Sequence, residues 1–162
     1  MQRLLSLALI AALALGSSVA AQGTDITFGG IRADTSLPVE VTSDSLSVDQ
    51  TTKRAVFTGK VVVRQGEMTL TAAEVEVENG PDGTGIARVL AKGGVLLVSG
   101  PDAAQGAEAV YTVASGEVVV TGDVVLTQGS AAISGQKLMA NLTTGTGRME
   151  GRVTTTFVPA QN

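Results

Sequence analysis

The sequence has no cysteine, histidine or tryptophan, and only one tyrosine, three phenylalanines and four prolines among its 162 residues. Without histidine or cysteine, most metal sites, the usual general base and every thiol nucleophile are missing. No disulfide can staple the fold, so stability has to come from a packed core. Positive charge is scarce: 11 basic residues stand against 15 acidic ones, for a net charge of −4, and they never form a run. That balance argues against nucleic acid as a partner, and against attachment to an anionic membrane by charge alone. Serines are plentiful, but none sits in Gly-x-Ser-x-Gly, and Gly83-Thr84-Gly85 lacks the lysine of a phosphate loop. Glu74, Glu76 and Glu78 fall on one strand face, where a solvated surface explains them better than a catalytic carboxylate pair. No catalytic residue, metal site or cofactor is expected, and the chain reads as a non-enzyme.

What is present begins with a leader. Met1-Gln2-Arg3 is followed by an apolar run from Leu4 to Leu15, and then by the small residues Gly16-Ser17-Ser18-Val19-Ala20-Ala21. These are the three parts of a cleavable secretory signal, and the apolar run falls short of the roughly 20 residues that span a bilayer. An uncleaved N-terminal anchor is the other reading. With no cysteine near the cleavage region, a lipid-anchored form is excluded. The expected organisation is a signal peptide over 1–21, a flexible segment over 22–37, one domain over 38–159 and a short tail over 160–162.

The remaining chain is rich in valine, threonine and glycine and shows no sustained helical period, so it reads as short strands joined by turns. Predicted strands are Val39–Val48, Ala55–Gln65, Met68–Glu78, Ile86–Ala91, Val95–Ser99 and Glu108–Val113, then Glu117–Gln128, Ala131–Asn141, Gly147–Glu150 and Val153–Val158. Turn clusters lie between them, such as Asn79-Gly80-Pro81-Asp82-Gly83 and Gly100-Pro101-Asp102.

An internal repeat is the most informative feature. Phe57-Thr58-Gly59-Lys60-Val61-Val62-Val63-Arg64-Gln65-Gly66 returns as Val120-Thr121-Gly122-Asp123-Val124-Val125-Leu126-Thr127-Gln128-Gly129. Weaker copies start near Ala91 and Glu150, and Gly59, Gly93, Gly122 and Gly151 are 34, 29 and 29 residues apart. Such self-similarity marks stacked units that cannot bury their apolar faces alone. Fifteen residues beyond the first three of these glycines come Glu74, Glu108 and Lys137; Asp44, Glu74 and Glu108 are expected at a structural corner.

Alternation gives the buried side. Thr58, Lys60 and Arg64 face water, which turns Ala55, Phe57, Gly59, Val61 and Val63 inward. In the later copy, Val118, Val120, Gly122, Val124 and Leu126 turn inward. A mid-strand glycine recurring once per unit predicts that each strand bends at the same corner. The favoured architecture is a flattened β-jelly roll or β-solenoid. Its lining of small aliphatic residues fits either a tightly packed sandwich or a groove for acyl chains.

The segment Pro38-Val39-Glu40-Val41-Thr42-Ser43-Asp44, followed by Ala55 through Gly66, resembles the LptA/OstA family. So do Ala72-Ala73-Glu74-Val75-Glu76-Val77, Thr121-Gly122-Asp123-Val124 and Arg152-Val153-Thr154-Thr155-Thr156-Phe157-Val158-Pro159. The resemblance covers residues 38–159 and rests on order and spacing, since no single motif is catalytic or unique. It implies an all-β fold, a twisted β-jelly roll of antiparallel strands, open at both ends, in a periplasmic protein that holds the acyl chains of lipopolysaccharide (lipid A) inside. The implied partners are an inner-membrane-anchored LptC-like jelly roll and the periplasmic domain of an LptD-like outer-membrane barrel. Head-to-tail self-association is also implied.

The resemblance carries lining roles onto Val39, Val41, Leu97, Tyr111 and Val113, although Leu97 stands where relatives can have an aromatic. Alternation alone adds Phe57, Val61, Val95, Val120 and Val124. The competing account of each is ordinary core packing. The cleavable leader argues against the anchored inner-membrane relative, and the length argues against the outer-membrane barrel. A different class stays open: an exported structural β-solenoid that binds only protein, with a closed, side-chain-filled interior.

Overall fold

A computed structural model describes residues 24–27, 34 and 36–157. Its strands are β1 (Thr24–Thr27), β2 (Glu40–Thr42), β3 (Ser45–Asp49), β4 (Arg54–Gln65), β5 (Met68–Asn79), β6 (Ile86–Ser99), β7 (Asp102–Thr112), β8 (Glu117–Gln128), β9 (Ala131–Asn141), β10 (Thr146–Glu150) and β11 (Thr154–Phe157). No helix occurs among the described residues. From β4 to β9 every strand pairs antiparallel with the next in sequence, through connections of two to six residues. The sheet is open: its order is β1-β10-β9-β8-β7-β6-β5-β4-β2, with β3 also on β4 and β11 also on β9.

The long strands are bent in the middle. Across β4 and β5 the register shifts between Thr58 and Val61, and equivalent shifts follow in each pair through β8 and β9. At each shift on β4, β6 and β8, two consecutive residues adopt the left-handed region. They are Gly59-Lys60 (φ 83° and 47°), Gly93-Gly94 (81° and 82°) and Gly122-Asp123 (85° and 48°). Gly151-Arg152 (84° and 46°) repeats this between β10 and β11. Two residues thus oppose one on a neighbouring strand, a bulge that sharpens the local twist and turns the strand over. At Gly122 no other residue fits, because an added Cβ would lie 2.5 Å from the Cβ of Ala107 on the preceding strand.

The corner explains the repeat and corrects one detail of it. The side chains against the glycines are Asp44, Ala73, Ala107 and Gln136, so on β5 and β7 it is the residue before Glu74 and Glu108 that makes the contact. Glu74, Glu108 and Lys137 stand just beside the corner. Register runs Thr58, Glu74, Lys92, Glu108, Thr121, Lys137, Glu150, a row in which opposite charges face one another across strands. Farther out on the same face, Arg54 bridges Glu76 and Glu78 at 3.0 Å each, and Arg88 reaches Glu78 at 3.3 Å. These carboxylates are held in a surface ion-pair ladder.

Folding at the corners stacks two walls whose inner faces form one apolar core, from Val61 and Val63 through Leu126 and Leu138 to Met149. The inward residues anticipated from alternation lie in this core or against it, except Gly59 and Gly122, which form the corners, while Lys60, Arg64, Asp123 and Thr127 are exposed. The strand boundaries differ in places. Val39–Val48 is two strands, β2 and β3, because it turns the corner at Ser43-Asp44. Ile86–Ala91 and Val95–Ser99 are one strand, β6, carried through the glycine bulge. β7 begins at Asp102 rather than Glu108, and β1, inside the 22–37 stretch, has no counterpart in the predicted strands. The leader and the 160–162 tail lie outside the described residues.

Candidate functional site

The inner faces are built by register. On one wall the row runs Val41, Val63, Leu70, Leu97, Ala104, Leu126, Ile133 and Thr155, each opposite the next. On the other it runs Leu46, Phe57, Val75, Ala91, Ala109, Val120, Leu138 and Met149. Alternation with period two keeps both rows apolar as far as Thr155, and the corners turn them toward each other. The result is a continuous hydrocarbon lining along the length of the roll.

Each expected lining residue falls in this interior. Val61, Val95, Leu97, Tyr111, Val120 and Val124 are buried, and Val39, Val41, Phe57 and Val113 are half-buried against the same cluster. Val61, Val95 and Val124 follow directly after the corner bulges. Val113 sits just past the end of β7, its N–H donating to the carbonyl oxygen of Ala87 at 3.1 Å. Only Val39, Leu97 and Tyr111 of these border an apolar cavity between the walls, together with Val63, Gln65, Met68, Leu70, Val89 and Val118.

That cavity measures about 20 Å³, room for about one water-sized group. The walls are therefore in contact, and a chain of methylenes can lie between them only if they part. The closed interior is the property that the protein-only scaffold requires.

At its two ends the lining is uncovered. Leu46 and Val48 on β3 lie on the inner face, opposite Phe57 and Ala55, yet are 54% and 62% exposed. At the other end Phe157 on β11 lies opposite Ala131, on the inner face, and is 72% exposed. Large apolar side chains facing inward at open ends mark surface that another element can cover.

Sequence reasoning did not single out Gln65, Met68, Leu46, Val48 or Phe157. For Gln65 the signal was available: alternation from Val61 and Val63 points it inward, although it is polar. It is buried, and its Nε2 donates to the carbonyl oxygen of Leu37 at 3.0 Å. Asp102 and Gln128 also face inward near the strand ends, with Gln128 Nε2 donating to Asp102 Oδ2 at 3.4 Å. Burial pushes the Tyr111 hydroxyl above its ordinary value of 10.0, so it stays neutral at physiological pH. Among the described residues, no three carboxylates gather where a metal ion could be held, and no helix is long and apolar enough to cross a membrane.

Residues 40–146 match the family described as "LptA/(LptD N-terminal domain) LPS transport protein". The chain is 28% identical over 160 residues to an uncharacterized protein of Rhizobium meliloti strain 1021, covering 92% of this chain and 86% of that protein. Among solved structures it is similar to LptH of Pseudomonas aeruginosa, described as the LptA-homologous periplasmic component of the lipopolysaccharide transport device. The TM-score is 0.71 at 21% identity, over 78% of this chain and 99% of that one. At that identity the likeness speaks for the fold, and it matches the jelly-roll reading of the two walls.

Proposed function

This chain belongs to the LptA/LptD N-terminal family of LPS transport proteins, and from that premise we propose that it is a periplasmic carrier sheltering lipopolysaccharide acyl chains between its walls. The observation that carries this is the apolar lining, continuous from strand to strand and running out to Leu46 and Val48 at one end and Phe157 at the other. Each methylene kept from water is worth about 0.8 kcal/mol. A continuous lining can therefore hold a chain that would not cross water unaided, and no energy-consuming site is needed in the roll itself. The closed interior fits a carrier whose walls part around the chain, starting from an uncovered end. The ten lining positions, from Val39 to Val124, are proposed as contacts of that chain.

The same ends serve a bridging role. β2 and β3 at one edge, and β11 at the other, pair with one neighbour each among the described strands. An unpaired strand edge can add to another sheet. The proposed partners are an inner-membrane-anchored LptC-like roll, the periplasmic domain of an LptD-like barrel, and further copies of this chain, reached after export and removal of the 1–21 leader. The jelly-roll domain is taken to span 38–159.

A second reading is favoured by one observation, the cavity of about 20 Å³: an exported scaffold that binds only protein. The deciding experiment is mass spectrometry of lipid co-purifying with the mature protein and with Val41→Asp. Stoichiometric lipopolysaccharide on the wild type, lost in a folded variant, supports the carrier. A folded wild type that takes up no lipid, even when purified lipopolysaccharide is added, supports the scaffold.

A further inference from the structure

Two of the residues that border the apolar cavity carry a buried polar atom with no hydrogen-bond partner among the described residues, Oε1 of Gln65 and the hydroxyl of Tyr111. The residues are 2% and 6% exposed. Burying such groups unpaired is unfavourable, so their presence in an otherwise hydrocarbon lining calls for a partner. The orientation of the Gln65 amide is set by chemistry. Its Nε2 donates to the carbonyl oxygen of Leu37, an acceptor that only the NH₂ end can satisfy. The free atom is therefore the acceptor, Oε1. Tyr111 comes from the other wall, between Val89 and Val118 in register, whereas Gln65 ends β4 beside Met68. The other inward polar residues differ, since Asp102 is met by Gln128.

The pair defines what would complete it. Oε1 needs a donor, and the Tyr111 hydroxyl can donate or accept. A bare methylene chain satisfies neither group. A carboxylate or phosphate cannot donate to Oε1 and would have to be buried as a charge. A carbonyl satisfies Tyr111 and leaves Gln65 unmet. An aliphatic hydroxyl alone of these carries both the donor that Oε1 needs and an acceptor for the Tyr111 hydroxyl. The cavity of about 20 Å³ suits one small polar group, since roughly 10–15 Å³ accommodates a water-sized probe.

We propose that Gln65 and Tyr111 form a polar subsite that recognises a hydroxyl carried on an acyl chain lying between the walls. The proposal rests on the carrier reading and adds a preference to it: hydroxylated chains are held in register at this point, and plain chains are not.

The test compares dissociation constants of the mature protein for β-hydroxymyristate and myristate, by displacement of a fluorescent fatty acid. The wild type is expected to bind the hydroxylated chain about tenfold more tightly, the scale of a net hydrogen-bond gain. Gln65→Leu and Tyr111→Phe each lose most of that preference, read as the ratio of the two dissociation constants within each variant. Tyr111→Phe retains the packed ring, so its thermal melt stays close to the wild type and the comparison survives if Gln65→Leu misfolds. Equal wild-type affinities for the two chains overturn the subsite and leave the carrier reading standing. A preference that persists in a folded Tyr111→Phe also overturns it. Failure of both chains to bind overturns the carrier reading, and the subsite with it.

Discussion

Asp44 lies directly over Gly59: its backbone N–H donates to the Gly59 carbonyl oxygen at 2.9 Å, and a Cβ added to Gly59 would stand 2.6 Å from its Oδ2 and 2.8 Å from its Cβ. This contact ties the corner between β2 and β3 to the corner of β4. It is the first of four such meetings, with Ala73 on Gly93, Ala107 on Gly122 and Gln136 on Gly151 following along the chain.

Replacing a corner glycine should therefore cost twice, through the left-handed backbone and through the contact. Gly59→Ala and Gly122→Ala are each expected to lose about 2 kcal/mol or more of unfolding free energy, of which 1–2 is the left-handed conformation itself. Lys60→Gly should behave oppositely. Lys60 already bears a φ of 47°, so glycine removes strain, and the variant should match the wild type or gain up to about 1 kcal/mol. Urea denaturation of the three variants decides this. A Gly122→Ala protein as stable as the wild type would show that the corners do not depend on backbone conformation.

Acid sensitivity should arise partly from the turns. Backbone N–H groups of Thr52 and Thr51 hold the Asp49 carboxyl below its ordinary 3.8, and Thr84 does the same for Asp82 through its hydroxyl and its N–H. A depressed folded value means that the stabilisation is complete above 3.8 and lost as pH falls through the lower, folded value. Tyr111 shifts the other way. Its contribution is complete below 10.0 and lost as pH rises through the raised folded value. Melting temperatures across pH should fall at both extremes. Asp49→Asn and Asp82→Asn should shallow the acid limb only, and Tyr111→Phe the alkaline limb only.

The uncovered ends should matter to association more than to folding. Leu46 and Phe157 are largely solvent-exposed, so Leu46→Asp and Phe157→Asp should change stability by no more than about 0.5 kcal/mol. Each should weaken end-to-end association of the chain, and the two together should leave a monomer in analytical ultracentrifugation at concentrations where the wild type assembles. Unchanged assembly in the double variant would place the contact elsewhere.

Much of the fold could be read from residue order. The four spaced glycines are the four corners, and period-two alternation through Ala55–Val63 and Val118–Leu126 gives the inner face apart from Gly59 and Gly122, which stand at the corners against Asp44 and Ala107. The first half of β7 could not be read that way. Asp102-Ala103-Ala104-Gln105-Gly106-Ala107 has no β-branched or aromatic residue, and it is a strand because β6 and β8 pair with it on either side. The break at Ser43-Asp44 was hidden because its glycine lies on the neighbouring strand, at Gly59, rather than in the segment that turns. For the candidate site, alternation finds which side chains face inward but carries no measure of how far apart the walls stand. It also does not say whether anything covers Leu46 and Phe157, since that depends on where the sheet stops.

Each strand of the roll hydrogen-bonds only to the strands beside it in the sheet, and the long strands fold over at glycine corners. From β4 to β9 each pairing joins strands that are consecutive in sequence, and the distant pairing among the described strands is that of β1 with β10. The reach of the molecule is accordingly an integer quantity: inserting or deleting one up-and-down pair would lengthen or shorten the lining by a fixed step, leaving the exposed apolar side chains at the two ends as they are. A gap of a given width can be matched by counting units, without redesigning any of them.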